Sequence, residues 1–424
     1  MPDAKANPGS QMENNLQIRG AGRKSQKGLR WSWVRSQMRH LLIVTVFYAL
    51  TSAIVLAQGQ LLIAPPGHLN GDAGETVTGS MNQSLDALFS QIDAGKLDSN
   101  WVSADHSELT LSVLRSWRGL GTEAGSGVTN DCHRQLINLY PISAGEYFVS
   151  LACIGKDSNQ VPALRAILNL VARGQDGKFT FSTPLAFLTR TWREKVVGNV
   201  TYYFPDAIVL ERARLFDKKN TVIAGRLGLK PEKLEFYLSD NYQEALALLG
   251  RGYDSESSGR TRSGSFVNPR TIFAVRHNED FSHDLFHYYA AQVRTAARNS
   301  TAEEGLAYSW GNAYWTKDDG GTITQRELVH ALKEYLTGKG TVSLIGLFDE
   351  NPKIFNRLAK EVSVKSTLSG LICDEVEKQR GPAGVKLLLN CGSGDDNYFR
   401  CIDGLIQINR TNFDKEVMKL VKEY

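Results

Sequence analysis

Cysteine is scarce in this chain. There are 5 in 424 residues, at Cys132, Cys153, Cys373, Cys391 and Cys401, and no two form a C-x-x-C pair. That argues against a thiolate zinc finger or a dithiol redox motif. The odd count leaves at least one thiol free or shared with another chain. A strong charge of one sign is missing too. The formal net charge is +4, but residues 1–57 hold 8 of the 49 Lys/Arg and only 2 of the 45 Asp/Glu. The remainder carries 41 basic and 43 acidic residues, a net of −2. Its apparent basicity belongs to the N-terminal segment, so no nucleic-acid surface follows from it. Internal repeats and low-complexity tracts are absent. The acidic clusters Asp318-Asp319-Gly320-Gly321 and Asp395-Asp396-Asn397 lack the spacing of an EF-hand loop.

What is present begins with a targeting pattern. Residues 1–37 are polar and basic without apolar periodicity. Met38-Arg39-His40 then leads into the apolar run 41–57, which ends Val55-Leu56-Ala57. A charged start, an apolar middle and a small-residue end make a signal peptide over 38–57, cleaved after Ala57 with Gln58 as the mature start. The 17 apolar residues are at the short limit for a membrane span. The expectation is a secreted or periplasmic protein with no stable span after cleavage; a retained anchor is the alternative. Export permits disulfides. Cys132 and Cys153 flank a hairpin read from Gln135 to Tyr140 and Glu146 to Ala152, so they are expected near one another.

At 42% hydrophobic content the chain can bury a full core, and its length implies two domains. Residues 58–79, with Pro65-Pro66-Gly67, read as a linker. Residues 80–205 read as an N-terminal α+β domain. Leu85, Leu88, Phe89, Ile92 and Leu109, Val113, Leu114, Trp117 mark two helices, and alternating runs over 132–205 mark one antiparallel sheet. This domain clusters no catalytic residues and suits substrate positioning or partner binding. Residues 206–424 read as a second, mixed α/β and mainly helical domain. It opens with a helix over 206–227, a strand over 234–238 and a helix over 242–249. A mobile Gly/Ser-rich loop (251–265) and a strand over 271–275 follow. Helices are expected over 324–336 and through 352–424.

The stretch Phe281-Ser282-His283-Asp284-Leu285-Phe286-His287-Tyr288-Tyr289 follows that last strand. In a helix, His283 and His287 are one turn apart, with Cβ atoms about 5–6 Å from each other. Two imidazole nitrogens then reach one Zn²⁺ at about 2.0–2.1 Å each. Asp284 sits beside the first histidine, as Glu does in H-E-x-x-H. Two histidines are too few to hold a metal. Thr301-Ala302-Glu303-Glu304-Gly305-Leu306-Ala307 supplies a carboxylate on the next helical segment.

These residues resemble the gluzincin zinc metallopeptidases, the thermolysin and aminopeptidase N group, and in particular their peptidase-MA-like branch. The likeness is sharpest over 281–312 and extends in organisation from about 200 to the end. It implies a thermolysin-like domain, Zn²⁺ held by His283, His287 and Glu304 (the Glu directly before Gly), Asp284 as general base, and a peptide or protein substrate. Glu303 is expected either to orient a ligand histidine or to exchange roles with Glu304. Tyr288, Tyr289, Tyr308 and Tyr314 are candidate phenolic donors to an oxyanion, with Tyr314 carried as the catalytic one. The chain departs from the pattern at Asp284, whose carboxylate stands back by about 1.5 Å relative to Glu, one C–C bond. The alternative to a peptidase is therefore a weak or inactive zinc-binding pseudo-peptidase that serves recognition in the cell envelope.

Overall fold

The computed structural model describes residues 74–118, 132–157, 159–259, 264–268, 270–315 and 321–424. The expected signal segment 38–57, most of the expected linker and the Asp318-Asp319-Gly320 turn lie outside these residues. Helix α1 (Glu75–Ala94) begins inside the stretch read as linker. It buries Met81, Leu85, Leu88, Phe89 and Ile92, which share one helical face. It stops at Gly95, which takes the left-handed φ of 67° that a C-cap requires. Helix α2 (Ser107–Ser116) follows.

Strands β1 (His133–Ser143), β2 (Glu146–Lys156), β3 (Pro162–Gln175) and β4 (Lys178–Ser182) form an antiparallel meander. The first hairpin closes at Ser143 and Glu146, with Gly145 at φ 74°. Cys132, just ahead of β1, is disulfide-bonded to Cys153 of β2.

Val200 to Phe204, expected in this sheet, belongs to another one. Strands β5 (Arg193–Val197) and β6 (Val200–Phe204) are antiparallel; helix α3 (Leu210–Leu227) then crosses over to β7 (Leu234–Ser239), parallel to β6. Helix α3 starts four residues later than its sequence pattern suggests. Val209 is extended, and its N–H is taken by buried Glu279 Oε1 at 3.0 Å. After α4 (Tyr242–Leu248), the stretch read as a mobile loop holds one strand and the start of another. Strand β8 (Arg251–Asp254) docks on β3, and β9 (Gly264–Asn268) pairs with β10 (Thr271–Val275). Glycines at the two ends of this stretch, Gly250 just before it and Gly264 within it, permit close packing. A Cβ at Gly250 would lie 2.3 Å from Asn169 O, and one at Gly264 would lie 2.4 Å from Phe273 O.

The second sheet runs β5-β6-β7-β10-β9, with β7 parallel to both neighbours. Both of its faces are covered, as parallel strands require. Phe236, Leu238, Ile272 and Ala274 enter a core shared with the C-terminal helices. Tyr237 and Phe273, alternating with them, enter a core shared with the first sheet, α1 and α2. The rings of Tyr203, Tyr237 and Phe273 stack across three strands at 4.7 and 5.2 Å, while Tyr202 stacks on Phe236 at 4.9 Å. This sheet is the wall between two cores, and β10 delivers the chain to the candidate site.

Beyond it lie α5 (Ser282–Val293) and α6 (Ser300–Leu306), the latter running into a π-helical turn Ala307–Gly311. The short hairpin β11 (Tyr314–Trp315) and β12 (Thr322–Ile323) precedes α7 (Gln325–Thr337) and α8 (Leu344–Glu350). Helix α9 (Val364–Leu389) is broken at Gly381, ahead of Pro382; α10 (Asp395–Ile406) and α11 (Phe413–Glu423) end the chain. The architecture is mixed α/β. Among the described residues no helix is long and apolar enough to cross a membrane.

Phe236 is fully buried, stacked on Tyr202 and edge-on to Phe216 at 5.4 Å. Phe236→Ala should therefore lower unfolding stability by about 3–5 kcal/mol, measured by urea denaturation; a loss below about 1 kcal/mol would contradict this packing.

Candidate metal centre

Helix α5 starts from a buried polar platform. Asp280 is 3% exposed and takes Lys219 Nζ at 2.7 Å, while Ser282 N donates to its Oδ1 at 3.3 Å. Asn312 Nδ2 donates to Asp280 O and to Ser282 Oγ, at 3.2 Å each. The buried charges are thus paired and hydrogen-bonded, the condition under which burial is tolerated. The helix sinks Leu285, Phe286, Tyr289 and Ala290 into the core. His283 and His287 lie along the border of that face, with side chains 22% and 21% exposed.

Each imidazole is oriented from behind. His283 Nδ1 lies 2.9 Å from the carbonyl oxygen of Asn312, which can only accept, so Nδ1 carries a proton and Nε2 is the nitrogen turned to the site. His287 Nδ1 is 2.8 Å from Glu303 Oε1, and the same reasoning applies. The two Nε2 atoms stand 3.2 Å apart. Glu304 Oε2 is 3.4 Å from His283 Nε2, and Oε1 is 3.3 Å from His287 Nε2. A tetrahedral ion with bonds of about 2.0–2.1 Å needs donors about 3.3–3.4 Å apart. The three side chains present that spacing, and among the described residues they form the one His/Cys/Asp/Glu group able to hold a metal ion.

Two imidazole nitrogens and a carboxylate this close repel one another unless a cation is shared among them. A proton is one such cation. Burial disfavours charge on His287, but its bonds to Glu303 and Glu304 outweigh this and push its pKa up to about 9. Burial also opposes charge on Glu304, and the hydrogen bonds from His283 and His287 override it, holding the carboxyl well below its usual range. A metal ion would take the proton's place.

The two glutamates divide their roles. Glu304 faces the imidazole Nε2 atoms and is one-third exposed, which leaves the centre open on that side. Glu303 is buried behind His287 and is clamped by Arg294 and by Arg298, whose Nε lies 2.8 Å from Oε1. Burial would raise the Glu303 carboxyl; the His287 bond and the two arginines keep it ionised instead. Arg298 also donates to Glu304 Oε1 at 2.8 Å. Asp284 stands in the field of His283, His287 and Glu304, and burial pushes its carboxyl above the ordinary range.

The tyrosines expected as oxyanion donors are engaged elsewhere. Tyr288 OH donates to Glu232 Oε1 at 3.2 Å, and Tyr289 OH bonds Asn220 and the Glu232 N–H. Tyr308 packs its ring 5.8 Å from His283, but its hydroxyl accepts the Ser363 N–H at 3.2 Å. Tyr314 falls in β11, opposite Ile323; its side chain lies outside the described residues. Sequence reasoning missed Arg294, Arg298 and the Asn312 carbonyl, none of which carries a local pattern. Asn299 did carry one. It precedes Ser300-Thr301 as an N-cap, accepting from Ala302 N at 3.0 Å.

The chain matches no protein-family model, and no curated protein matches it.

The Gly that follows Glu304 has a steric cause. A Cβ on Gly305 would lie 2.5 Å from Ser369 Oγ and 2.8 Å from the Ser369 carbonyl carbon, because α6 and α9 touch there. Alanine gains up to about 1 kcal/mol of helix propensity, whereas overpacking costs about 1–3 kcal/mol. Gly305→Ala is therefore expected to be net destabilising in urea unfolding; equal or higher stability would contradict this contact.

Proposed function

We propose that the chain is an exported zinc-dependent peptidase of gluzincin type, with His283, His287 and Glu304 holding Zn²⁺ and Asp284 acting as general base. The observation that carries this reading is the convergence of the two Nε2 atoms, 3.2 Å apart, with the Glu304 carboxylate, whose oxygens lie 3.3 and 3.4 Å from them, each imidazole being held from behind. The order of elements supports a thermolysin-like module. A sheet strand leads into the His-bearing helix α5, and the next helix, α6, brings Glu304 back to it. The Cys132–Cys153 disulfide supports an oxidising destination.

Bound zinc would supply Lewis acidity, making water acidic near neutrality and polarising a peptide carbonyl. The protein's part is positional and protolytic. Asn312 O and Glu303 hold the two imidazoles with Nε2 forward, and Arg298 with Arg294 keeps Glu303 ionised for that task. Asp284 takes the proton of the attacking water and returns it to the leaving amine. Burial raises its pKa, which strengthens it as a base. Its short side chain works in the other direction, since a displacement near 1 Å costs about 100-fold in rate. That shortness is the one observation favouring a second reading, a zinc-stabilised recognition protein without turnover.

Metal binding is tested first. The purified chain should carry about one Zn²⁺ (one tetrahedral site), and His283→Ala should lose it. Glu303→Gln should keep the metal but bind it about 10–100-fold more weakly, read by competition with a chromophoric chelator. Equal metal in wild type and His283→Ala would reject the centre.

Catalysis is tested at Asp284. Asp284→Asn should abolish peptide hydrolysis with zinc retained, because an amide cannot accept the water's proton. Asp284→Glu should change the rate, upward if the site has room for the longer carboxylate and downward if the backbone is adapted to Asp. No hydrolysis by wild type, Asp284→Asn or Asp284→Glu across a broad peptide library, with zinc in all three, would leave the recognition reading.

A further inference from the structure

Three consecutive side chains of the π-helical turn Ala307–Gly311 are tied to helix α9 or its cap. Tyr308 OH accepts the N–H of Ser363, the N-cap of α9, at 3.2 Å. Ser309 Oγ donates to Asp374 Oδ1. Trp310 Nε1 donates to Glu377 Oε2 at 2.9 Å. Helix α3 joins the same cluster. Arg226 Nε lies 3.3 Å from Glu377 Oε1, and its guanidinium stands 4.8 Å from the centre of the Trp310 ring. Trp310 is buried and meets Phe286 of α5 edge-on at 5.7 Å.

The turn ends at Asn312, an extended residue whose carbonyl oxygen accepts from His283 Nδ1. The Asn312 side chain is held separately, by Asp280 O and Ser282 Oγ. His287 is oriented by a different partner, Glu303, which lies on α6 ahead of the turn. Movement of the turn therefore acts on the rear bond of His283 and leaves that of His287 in place. A π-helical turn is a rare geometry that interrupts the ordinary helical ladder, and it persists where surrounding contacts over-determine it. The bonds from Ser309 and Trp310 to α9 are contacts of that kind. Loss of either acceptor leaves a half-buried or buried donor without its partner.

We infer that Trp310 with Glu377, and Ser309 with Asp374, are positioning residues for His283: they pin the π-helical turn to α9 and so aim the Asn312 carbonyl at Nδ1. The hold is indirect and selective. When the turn slackens, the His283 ring loses its rear anchor, and its Nε2 no longer stays at the point it shares with His287 and Glu304. Contacts that act through an intermediate residue in this way change a binding constant by about twofold to thirtyfold. What this does for metal binding rests on the zinc reading of the centre; the hold on the imidazole does not.

The test compares the two histidines in the full chain, metal-free and carrying isotope-labelled histidine, by the rate at which each Nδ1 proton exchanges with water. In Glu377→Ala the His283 proton should exchange about threefold or more faster, with the His287 proton unchanged. Trp310→Phe keeps the ring against Phe286 but removes the donor, and should do the same. Glu377→Gln keeps an oxygen for Trp310 Nε1 and should restore the wild-type rate. Zinc affinity, read by competition with a chromophoric chelator, should fall by about twofold to thirtyfold in Glu377→Ala and Trp310→Phe and recover in Glu377→Gln. Equal acceleration at both histidines would mark general loosening and overturn the inference. An unchanged His283 rate in both Glu377→Ala and Trp310→Phe, or failure of Glu377→Gln to restore it, would overturn it too. If wild type binds no zinc, the zinc reading fails, and the exchange comparison by itself upholds or overturns the hold on His283.

Discussion

Three electron-rich groups, two imidazole Nε2 atoms and the Glu304 carboxylate with one oxygen towards each, are made to converge at 3.2–3.4 Å, and the surrounding structure depends on that convergence. Such a trio is repulsive unless a cation joins it. Much nearby polar structure acts to hold it. Asn312 and Glu303 commit the rear nitrogen of each histidine, two arginines hold Glu303 charged, and Lys219 with Asp280 fixes the start of the helix. Two glycines let backbones close on the site. A Cβ at Gly311 would lie 2.8 Å from Ser282 O, so the π-helical turn can bring the Asn312 carbonyl to His283 only because residue 311 has none. Such turns recur at functional sites for this kind of local re-aiming.

The scaffold behind the centre is stiff because the second sheet is apolar on both faces. Alternate residues of β7 and β10 serve two cores, so the strand that leads into α5 is packed on either side. The histidines inherit that rigidity. The connection between α5 and α6 does not, since it relies on side-chain hydrogen bonds to Asn390 and to the carbonyls of Gly392 and Gly394. The site therefore joins a rigid half that carries His283 and His287 to a tethered half that carries the arginines.

Part of this was legible in the sequence. The spacing of His283 and His287, with Glu304 before a glycine, predicts three groups that the fold does bring together. Helical periodicity located α3 and α7 to within a few residues and marked the region of α1 and the C-terminal helices. What escaped had no local signal. Val200 to Phe204 alternates as a strand, but nothing in it says which sheet it joins. Gly252 and Gly264 read as looseness, whereas their missing side chains admit close packing. Arg294 and Arg298 are charged residues in a polar stretch and acquire meaning only when Glu303 folds against them. Tyr288, Tyr289 and Tyr308 lie near the motif in sequence, yet their hydroxyls are committed to Glu232, Asn220 and Ser363.

The central claim is that the convergent atoms are metal ligands, and a crystal of the zinc-loaded chain tests it most directly. An anomalous difference map at the zinc edge should show one peak about 2.0–2.1 Å from His283 Nε2, His287 Nε2 and an oxygen of Glu304, with Glu303 remaining on His287 Nδ1. A map with no peak there, or a peak liganded by Glu303 in place of Glu304, would contradict the account.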